Sequence, residues 1–292
     1  MRSNSRIILL DVGGTFVKAS LGISGKGAVE GTFTHTPIAS DGTAEEIRNA
    51  FRTAVGGMMR IAADNGHEIE AVCTAIPGPF NYNEGVFMMK HKFAAVYGCS
   101  FREILGDVIP SGMRLAFVHD VNGILLGVLS TDPSLKSGNV GISTFGTGLG
   151  FGYAMDGEIM KSETGSPAKG LWNLPYMDGI LEDYVSRRAI LRIYTELGGT
   201  IAEGEDVKEI ADKARNGDGK ASETFRSIGR HYAAGAGSLI HELGIGHMFF
   251  AGQIARSFDL MEDEIRSGLG ESVEISVLDD IQGTVLTGAA SL

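Results

Sequence analysis

The chain of 292 residues has few cysteines, an excess of acidic over basic residues and no long apolar run. Its two cysteines, Cys73 in an apolar segment and Cys99 in a turn, indicate free thiols rather than a disulfide framework. No apolar stretch approaches the roughly 18 residues of a membrane-spanning helix, and no basic segment followed by an apolar one indicates a leader. These absences predict a soluble, cytoplasmic protein without a membrane partner.

The charge balance excludes further classes of partner. Lys plus Arg number 25 and Asp plus Glu number 36, which gives a net charge of −11. Such a chain is repelled by nucleic acids and anionic membranes, although a local basic pocket for phosphates stays compatible with it. With 43% apolar residues, the chain can form two ordinary cores, so we expect two lobes.

The 42 glycines are scattered among apolar runs and mark the turns of a packed α/β protein. Strands are predicted at 7–10, 17–23, 27–34, 71–75, 115–118, 140–144 and 247–251. Helices are predicted from a cap at Thr43 to Ala63, and over 182–196 and 225–243.

A glycine turn with flanking polar groups follows the first apolar strand. Asp11 ends that strand, where its carboxylate can face a metal ion or an ordered water, and Gly13 and Gly14 let backbone N–H groups approach anionic oxygens. Thr15 adds a hydroxyl and Lys18 a cation. The same residues also suit an ordinary hairpin turn, so this pattern alone leaves both interpretations open.

A second glycine-rich turn strengthens the phosphate interpretation. Gly146, Thr147 and Gly148 separate two further apolar segments that are predicted to be strands. Two such turns at the starts of two related halves predict a nucleotide held between lobes, with backbone donors from each turn. The pattern is neither a Walker loop nor a Gly-x-Gly-x-x-Gly motif that opens a helix.

Two strands between these turns end in polar or rigid residues. The first ends in Pro77-Gly78-Pro79, a rigid turn suited to lining a small-molecule pocket. The second ends in His119, Asp120 and Asn122, just before an apolar helix, which is where α/β folds place their chemistry. The alternatives are that Asp120 only caps that helix and that His119 is an ordinary half-buried histidine.

Together these segments resemble the ROK family of sugar kinases, within the actin, Hsp70 and hexokinase superfamily, over nearly the whole chain. The matching segments are 11–18, 76–80, 119–122, 146–150, 181–187, 249–253 and 287–290. The resemblance implies a two-lobed actin-like (ribonuclease H-like) α/β ATPase fold with a cleft between the lobes. Residues 1–119, completed by a C-terminal helix at 281–292, would form the smaller lobe, and 120–280 the larger.

The resemblance also implies ATP-dependent phosphorylation of a sugar hydroxyl in a homodimer, with Asp120 as general base and Asp11 orienting Mg²⁺, directly or through water. The implied nucleotide-binding residues are Asp11, Gly13, Gly14, Thr15, Lys18, Gly146, Thr147, Gly148, Gly252 and Gln253. The implied sugar-binding residues are Gly78, His119, Asn122, Glu182 and Asp183. Glu182 and Asp183 could instead be acids of a first helical turn, favoured there by the helix dipole.

Two departures from the family pattern stand out. The family's zinc-binding segment, a His followed by a Cys-rich cluster, is replaced at 165–180 by a segment with no His and no Cys, so no structural zinc is expected. The family's Asn before the catalytic Asp is His119 here, which leaves the identity of the sugar open.

Two other classes of function stay possible. A non-catalytic sensor of the same fold could bind sugar, or sugar and nucleotide, and signal by lobe closure, but it would not need Asp120. An actin-like ATPase would not need the 76–80 turn of the sugar-binding branch. The family's regulators have a DNA-binding module before the first strand, whereas only residues 1–6 precede it here, which favours an enzyme.

Overall fold

The computed structural model describes residues 5–292, and the chain divides into two compact units. The first unit contains the described residues up to Ser134, Lys161–Ala168 and Gln282–Leu292. The second unit contains Leu135–Met160 and Lys169–Ile281. Both units mix strands and helices, which confirms the predicted α/β class.

The first unit is built on a six-stranded sheet. Its strands are β1 (Ser5–Val12), β2 (Phe16–Ile23), β3 (Gly27–Ala28), β4 (Thr34–Pro37), β5 (Glu68–Ile76) and, after the two-stranded pair β6 (Phe80–Asn81) and β7 (Val86–Phe87), β8 (Arg114–His119). The order is β3-β2-β1-β5-β8, with β4 also paired to β2. β1 and β2 form an antiparallel hairpin, whereas β1, β5 and β8 run parallel.

Three helices of the first unit follow from their sequence signals. They are α1 (Ala44–Asp64), α2 (Phe101–Leu105) and α3 (Asp120–Thr131). The capping box predicted at the start of α1 is present, since Thr43 and Glu46 each accept a backbone N–H of the other. α1 buries Phe51, which packs edge-on against Phe101 of α2 in the apolar cluster of the first unit.

The second unit repeats the arrangement of the first sheet. Its strands are β9 (Val140–Phe145), β10 (Leu149–Met155), β11 (Glu158–Ile159), the separate pair β12 (Pro175–Tyr176) and β13 (Gly179–Ile180), then β14 (His247–Ala251) and β15 (Glu274–Val277). β9 and β10 form an antiparallel hairpin, and β9, β14 and β15 run parallel. A hairpin followed by two parallel strands therefore occurs in both units.

Helices of the second unit cover its sheet. They are α4 (Arg187–Glu196), α5 (Val207–Arg215), α6 (Gly219–Glu242) and α7 (Glu262–Leu269). Their apolar faces form one buried cluster with β9, β10 and β14. Among residues 5–292, no helix is both long and apolar enough to cross a membrane.

The last helix, α8 (Ile281–Ala289), packs against α3 within the first unit. A Cβ on Gly288 would overlap the backbone of Gly123 and Gly127, and a Cβ on Gly127 would overlap the backbone of Thr284. This close contact needs glycine on both helices. The first unit includes α3, so it extends to Ser134, beyond the division at 119/120 expected from the sequence.

Three of the predicted elements were wrong in their extent. The helix expected over 225–243 begins earlier, at Gly219, because Asp218 is its N-cap. The strand expected over 27–34 breaks after Ala28, because Gly31 has a left-handed φ of 78° and the Thr32 hydroxyl donates to the Val29 carbonyl to close a turn. The helix expected over 182–196 begins only at Arg187, because Ser186 is its N-cap. Glu182 and Asp183 lie instead in a single 3₁₀ turn, Leu181–Asp183.

Candidate functional site

Three neighbouring parallel strands of the first unit bring the predicted polar residues to one edge of the sheet. Asp11 lies near the carboxyl end of β1 and is in register with Ala75 of β5. Ile76, the last residue of β5, is in register with His119, the last residue of β8. The edge therefore carries Asp11, the Pro77–Pro79 turn and the start of α3, as expected for a ligand site in a parallel sheet.

The first glycine turn has two free backbone donors. The Gly13 N–H donates to the Phe16 carbonyl at 2.9 Å and closes the hairpin, so it is not available to a ligand. No partner within residues 5–292 accepts from the N–H groups of Gly14 and Thr15, whereas their carbonyls accept from Ser40 and Ile38. The turn thus leaves two N–H donors free, while the carbonyl oxygens of the same residues already accept hydrogen bonds. This arrangement suits the binding of an anion.

The second glycine turn has the same design. The Gly146 N–H donates to the Gly148 carbonyl at 3.1 Å, and the Gly146 carbonyl accepts from the Arg187 N–H at 3.1 Å. The N–H groups of Thr147 and Gly148 have no acceptor in the described part of the chain. Each unit therefore offers two consecutive free N–H groups after a strand, and in each turn the backbone N–H of the first glycine closes the turn.

Glu182 lies against the second turn. Its Oε2 accepts the Leu149 N–H at 2.9 Å, and a Cβ on Gly148 would overlap that oxygen. Its Oε1 lies 3.6 Å from the Arg188 guanidinium. The resemblance assigns the Glu182 carboxylate to sugar binding. In the structure it accepts the N–H of Leu149, the residue directly after the free N–H groups of Thr147 and Gly148.

The segment after β14 packs against the start of the same turn. Gly252 has a φ of 104°, and a Cβ there would overlap the Phe145 backbone. The Gln253 side chain is exposed. The structure therefore explains Gly252 by backbone conformation and packing, while Gln253 is free to contact a ligand beside the turn.

Two of the turn glycines have no such structural explanation. Gly14 and Gly146 do not have left-handed φ values, and a Cβ on Gly146 would meet no atom within 4 Å. A Cβ on Gly14 would come no closer than 3.4 Å, to the Ser40 hydroxyl. Because the fold would accept a side chain at both positions, their glycines are better explained by a group that approaches the backbone closely.

Asp11 and Lys18 form a cross-strand pair at the first turn. They lie directly opposite each other in the hairpin, and Lys18 Nζ donates to Asp11 Oδ2 at 2.8 Å. The Asp11 side chain is only 16% exposed, and its Oδ1 has no partner among residues 5–292. Lys18, expected to contact phosphate, is thus engaged by Asp11 in this structure.

His119 and Asp120 meet at the start of α3. His119 is the N-cap residue, and its Nδ1 lies 2.9 Å from Asp120 Oδ1 and 3.3 Å from the Val121 nitrogen. Asp120 Oδ1 also accepts the Val121 N–H at 2.8 Å. Asp120 is the first helical residue, so the N-cap of α3 is His119 and not Asp120. The Asp120 side chain is 39% exposed.

The pKa of Asp120 is set by opposing influences. Desolvation is the largest and raises the pKa, but the charge and hydrogen bond of His119, the Val121 N–H and the charge of Lys92 together outweigh it. The pKa of the carboxyl therefore lies below its usual value, and Asp120 is ionised at neutral pH.

Gly78 and His119 lie together, beside a residue that the sequence did not single out. A Cβ on Gly78 would lie 3.4 Å from His119 Cδ2 and 3.3 Å from the Tyr82 hydroxyl. The Tyr82 ring is 5.8 Å from the His119 ring, and its hydroxyl donates to the Ile76 carbonyl at 3.0 Å. Burial raises the pKa of Tyr82, so its hydroxyl stays protonated. No local sequence pattern marks Tyr82, because its contacts come from the turn before it and from β8.

The other predicted sugar ligands are placed less favourably. Asn122 is fully buried, and neither polar atom of its side chain has a partner among residues 5–292. A sugar cannot touch Asn122 in this conformation. Asp183 accepts the Ile180 N–H at 3.2 Å and lies beside Arg188 and Tyr184 in a cavity of about 590 Å³.

A family model matches residues 7–276 of this chain, under the description ROK family. The chain belongs to the ROK family. This membership confirms the resemblance carried by the two glycine turns and by the strand ends at 76–80 and 119–122.

The relatives and solved structures most similar to this ROK chain include three kinases. The glucokinase of Streptomyces coelicolor is 25% identical over 283 residues, which cover 88% of this chain and 84% of the relative. A ROK hexokinase from Thermus thermophilus has a TM-score of 0.75 at 22% identity, covering 98% of this chain and 97% of that one. A ROK glucokinase from Streptomyces griseus, in complex with glucose and AMPPNP, also has a TM-score of 0.75 at 22% identity, covering 98% of both chains. These likenesses confirm the predicted actin-like fold.

The region where ROK relatives are expected to have a zinc segment has another structure here. Residues 175–180 form the small hairpin β12–β13, and the Tyr176 hydroxyl lies 3.0 Å from His231 Nδ1 of α6. Across residues 5–292, no group of three His, Cys, Asp or Glu side chains could hold a metal ion. Aromatic and hydrogen-bonded contacts therefore hold this segment to the second unit.

Proposed function

We propose that this ROK protein is a glucokinase-like enzyme that transfers the γ-phosphoryl group of ATP to a hydroxyl of a hexose or hexosamine. The observation that carries the proposal is the pair of turns that each present two free backbone N–H groups, Gly14 with Thr15 and Thr147 with Gly148. The family membership and the glucokinase relatives support the same activity.

The two turns suit the phosphates of ATP because backbone N–H groups bind anionic oxygens without a side-chain charge. This matters in a chain with a net charge of −11, which would otherwise repel a nucleotide. Gln253, exposed beside the second turn, is the candidate contact for the adenosine side. Gly13, Gly148 and Gly252 would support these turns as structural residues.

Asp120 is the proposed general base. Phosphoryl transfer passes through a loose transition state, in which the attacking hydroxyl loses its proton late, so position matters more than a raised pKa. Asp120 is ionised at neutral pH and 39% exposed, and His119 Nδ1 fixes one of its oxygens. Its other oxygen, Oδ2, is then left to accept the hydroxyl proton.

Asp11 fits a role toward Mg²⁺. Lys18 binds one of its carboxylate oxygens, and the other has no protein partner in the described residues, which suits a contact through a metal-bound water. When bound, Mg²⁺ would neutralise charge on the phosphates during transfer. Lys18 would then keep the Asp11 carboxylate oriented rather than bind phosphate itself.

Gly78 and His119 are the proposed sugar contacts in the first unit. Because His119 Nδ1 is engaged by Asp120 and the start of α3, only Nε2 is left to contact a sugar. The wall formed by Gly78 lets a polyol approach this nitrogen closely. The names of the kinase relatives favour glucose among the hexoses. The homodimer and the cytoplasmic location stay predictions.

The test is coupled ADP release with Mg-ATP against glucose, mannose, fructose, allose, glucosamine, N-acetylglucosamine, N-acetylmannosamine and β-glucosides, with wild type and Asp120→Asn in parallel. We expect one or a few sugars to stimulate the wild type and the variant to lose about 10²–10⁴-fold in kcat, the usual contribution of a general base. AMPPNP binding by calorimetry should be the same in both proteins. Sugar binding without sugar-stimulated turnover would reject the kinase and favour a sensor of the same fold.

A further inference from the structure

Lys92 is a second cation beside the first glycine turn, in addition to Lys18. A Cβ on Gly14 would lie 3.9 Å from Lys92 Nζ and 3.8 Å from its Cε. The ammonium group of Lys92 therefore lies beside Gly14, whose backbone N–H is free. The side chain is partly buried. Across residues 5–292, Lys92 takes part in no ion pair, in contrast to Lys18, which Asp11 engages at 2.8 Å.

The backbone fixes Lys92 at this place. The Ser40 N–H donates to the Gly14 carbonyl, and the Phe93 N–H donates to the Ser40 carbonyl, so the turn and the Lys92 segment are joined through one residue. Phe93 has a left-handed φ of 53°, and its ring is fully buried against Phe51 and Phe87. A bulky residue holds such a backbone conformation only where the surrounding structure determines it.

The charge of Lys92 also acts on Asp120, since it is among the influences that lower the pKa of that carboxyl. Lys92 thus lies beside the first glycine turn and is coupled electrostatically to the proposed base. A cation in that position is typical of a contact to the group that moves between them, because phosphoryl transfer is catalysed mainly by position and by charge stabilisation.

We propose that the Lys92 ammonium binds the phosphoryl group in transfer, between the Gly14–Thr15 turn and the hydroxyl that faces Asp120. This inference rests on the proposed kinase function. As the bond from the sugar oxygen to the γ-phosphorus forms and the bond from that phosphorus to the β,γ-bridging oxygen breaks, Asp120 takes the hydroxyl proton and ADP leaves with the electron pair. Lys92 stays protonated throughout and donates to the non-bridging oxygens of the moving group.

The experiment compares wild type with Lys92→Met and Lys92→Arg, and uses Lys90→Met as the matched control. Lys90 lies on the same segment, but its ammonium is exposed and lies 5.4 Å from the centre of the Tyr97 ring. Circular dichroism melting checks that each variant is folded, and Lys92→Gln replaces Lys92→Met if the latter is not.

Two readouts are needed, kcat with the activating sugar and the ratio of AMPPNP to ADP affinity by calorimetry. Removal of one preorganised donor to a transition state lowers kcat by about 10²–10³-fold, so we expect a loss of this size in Lys92→Met and a partial recovery in Lys92→Arg. We also expect the AMPPNP to ADP affinity ratio to fall about tenfold, because only AMPPNP carries the third phosphate. Lys90→Met should match wild type in both.

Normal kcat in Lys92→Met, with a wild type that phosphorylates a sugar, would overturn the role of Lys92 and leave the kinase standing. If no sugar stimulates ATP turnover by the wild type, the proposed kinase function is rejected. The ratio of AMPPNP to ADP affinity still tests whether Lys92 contacts the terminal phosphate. An unchanged ratio would then reject contact with the terminal phosphate, and a lower ratio would retain it.

Discussion

The Glu182 carboxylate accepts the backbone N–H of Leu149 at 2.9 Å and thereby ties the 3₁₀ turn Leu181–Asp183 to the second glycine turn. The bond leaves the N–H groups of Thr147 and Gly148 free, because it uses the donor that directly follows them. Glu182 is thus a residue that orients the second glycine turn.

Replacing Glu182 by Ala should weaken nucleotide binding more than sugar binding. A hydrogen bond to a charged acceptor contributes about 1.5–3 kcal/mol, and partial exposure favours the lower end, so the KM for ATP should rise about tenfold. Steady-state kinetics with both substrates varied would measure this. Glu196→Ala is the control, since its exposed carboxylate pairs with Arg192 one turn away. A rise confined to the KM for the sugar would show that Glu182 acts as a sugar ligand alone.

The pH profile of kcat/KM should respond to residue 119. Asp120 must be ionised to accept a proton and its pKa lies below the usual value, so activity in the wild type should stay level from neutral pH through the usual titration range of a carboxyl and fall only at more acidic pH. In His119→Asn, desolvation is opposed only by the Val121 N–H and the Lys92 charge. The pKa of Asp120 then rises, and the acid limb should move to higher pH. An unmoved limb would mean that another group controls it.

Two glycine substitutions should separate binding from stability. Gly146→Ala adds a methyl group where the structure has open space, so the free energy of unfolding should change by less than about 0.5 kcal/mol while AMPPNP affinity falls at least about tenfold. Gly252→Ala places a Cβ at φ 104° against the Phe145 backbone and should destabilise the protein by about 2–4 kcal/mol. Urea unfolding and calorimetry give the two quantities. Equal loss of stability in both variants would contradict the distinction.

The contact between α3 and α8 should be intolerant of a single methyl group. In Gly288→Ala the new Cβ overlaps the Gly123 backbone, and the forced displacement should cost about 3 kcal/mol in unfolding free energy and lower kcat, because α3 begins with Asp120. Gly112→Ala, also in the first unit, has no atom within 4 Å of the new Cβ and serves as control. Similar urea midpoints for the two variants would argue against a tight helix contact.

The sequence predicted the elements whose signal is local. The β1–β2 and β9–β10 hairpins follow from apolar runs on either side of a glycine turn, and the start of α1 follows from the reciprocal cap of Thr43 and Glu46. The start of α4 was misplaced because Ser186, a good cap, lies three residues beyond two acids that also suit a first turn.

The sequence could not predict which polar groups find partners, because these are decided by contacts far along the chain. Glu182 and Leu149 are 33 residues apart, and the sequence offered no sign that they meet. The same holds for Lys92 and Gly14, which are brought together by the backbone hydrogen bonds of Ser40 and by the left-handed backbone of Phe93. Asn122 was predicted to contact the sugar, but it lies in the first turn of α3 and is fully buried.

The packing of α8 on α3 has a consequence for the order in which the protein can fold. Gln282–Leu292 belongs to the first unit, but the ribosome makes this segment only after all of the second unit. The second unit can thus form its native contacts during synthesis, whereas α3 cannot pack against α8, more than 150 residues downstream, until the end of synthesis. The proposed base at the start of α3 would then reach its final environment late. In a nascent chain, the second glycine turn would fold before the proposed phosphoryl transfer became possible.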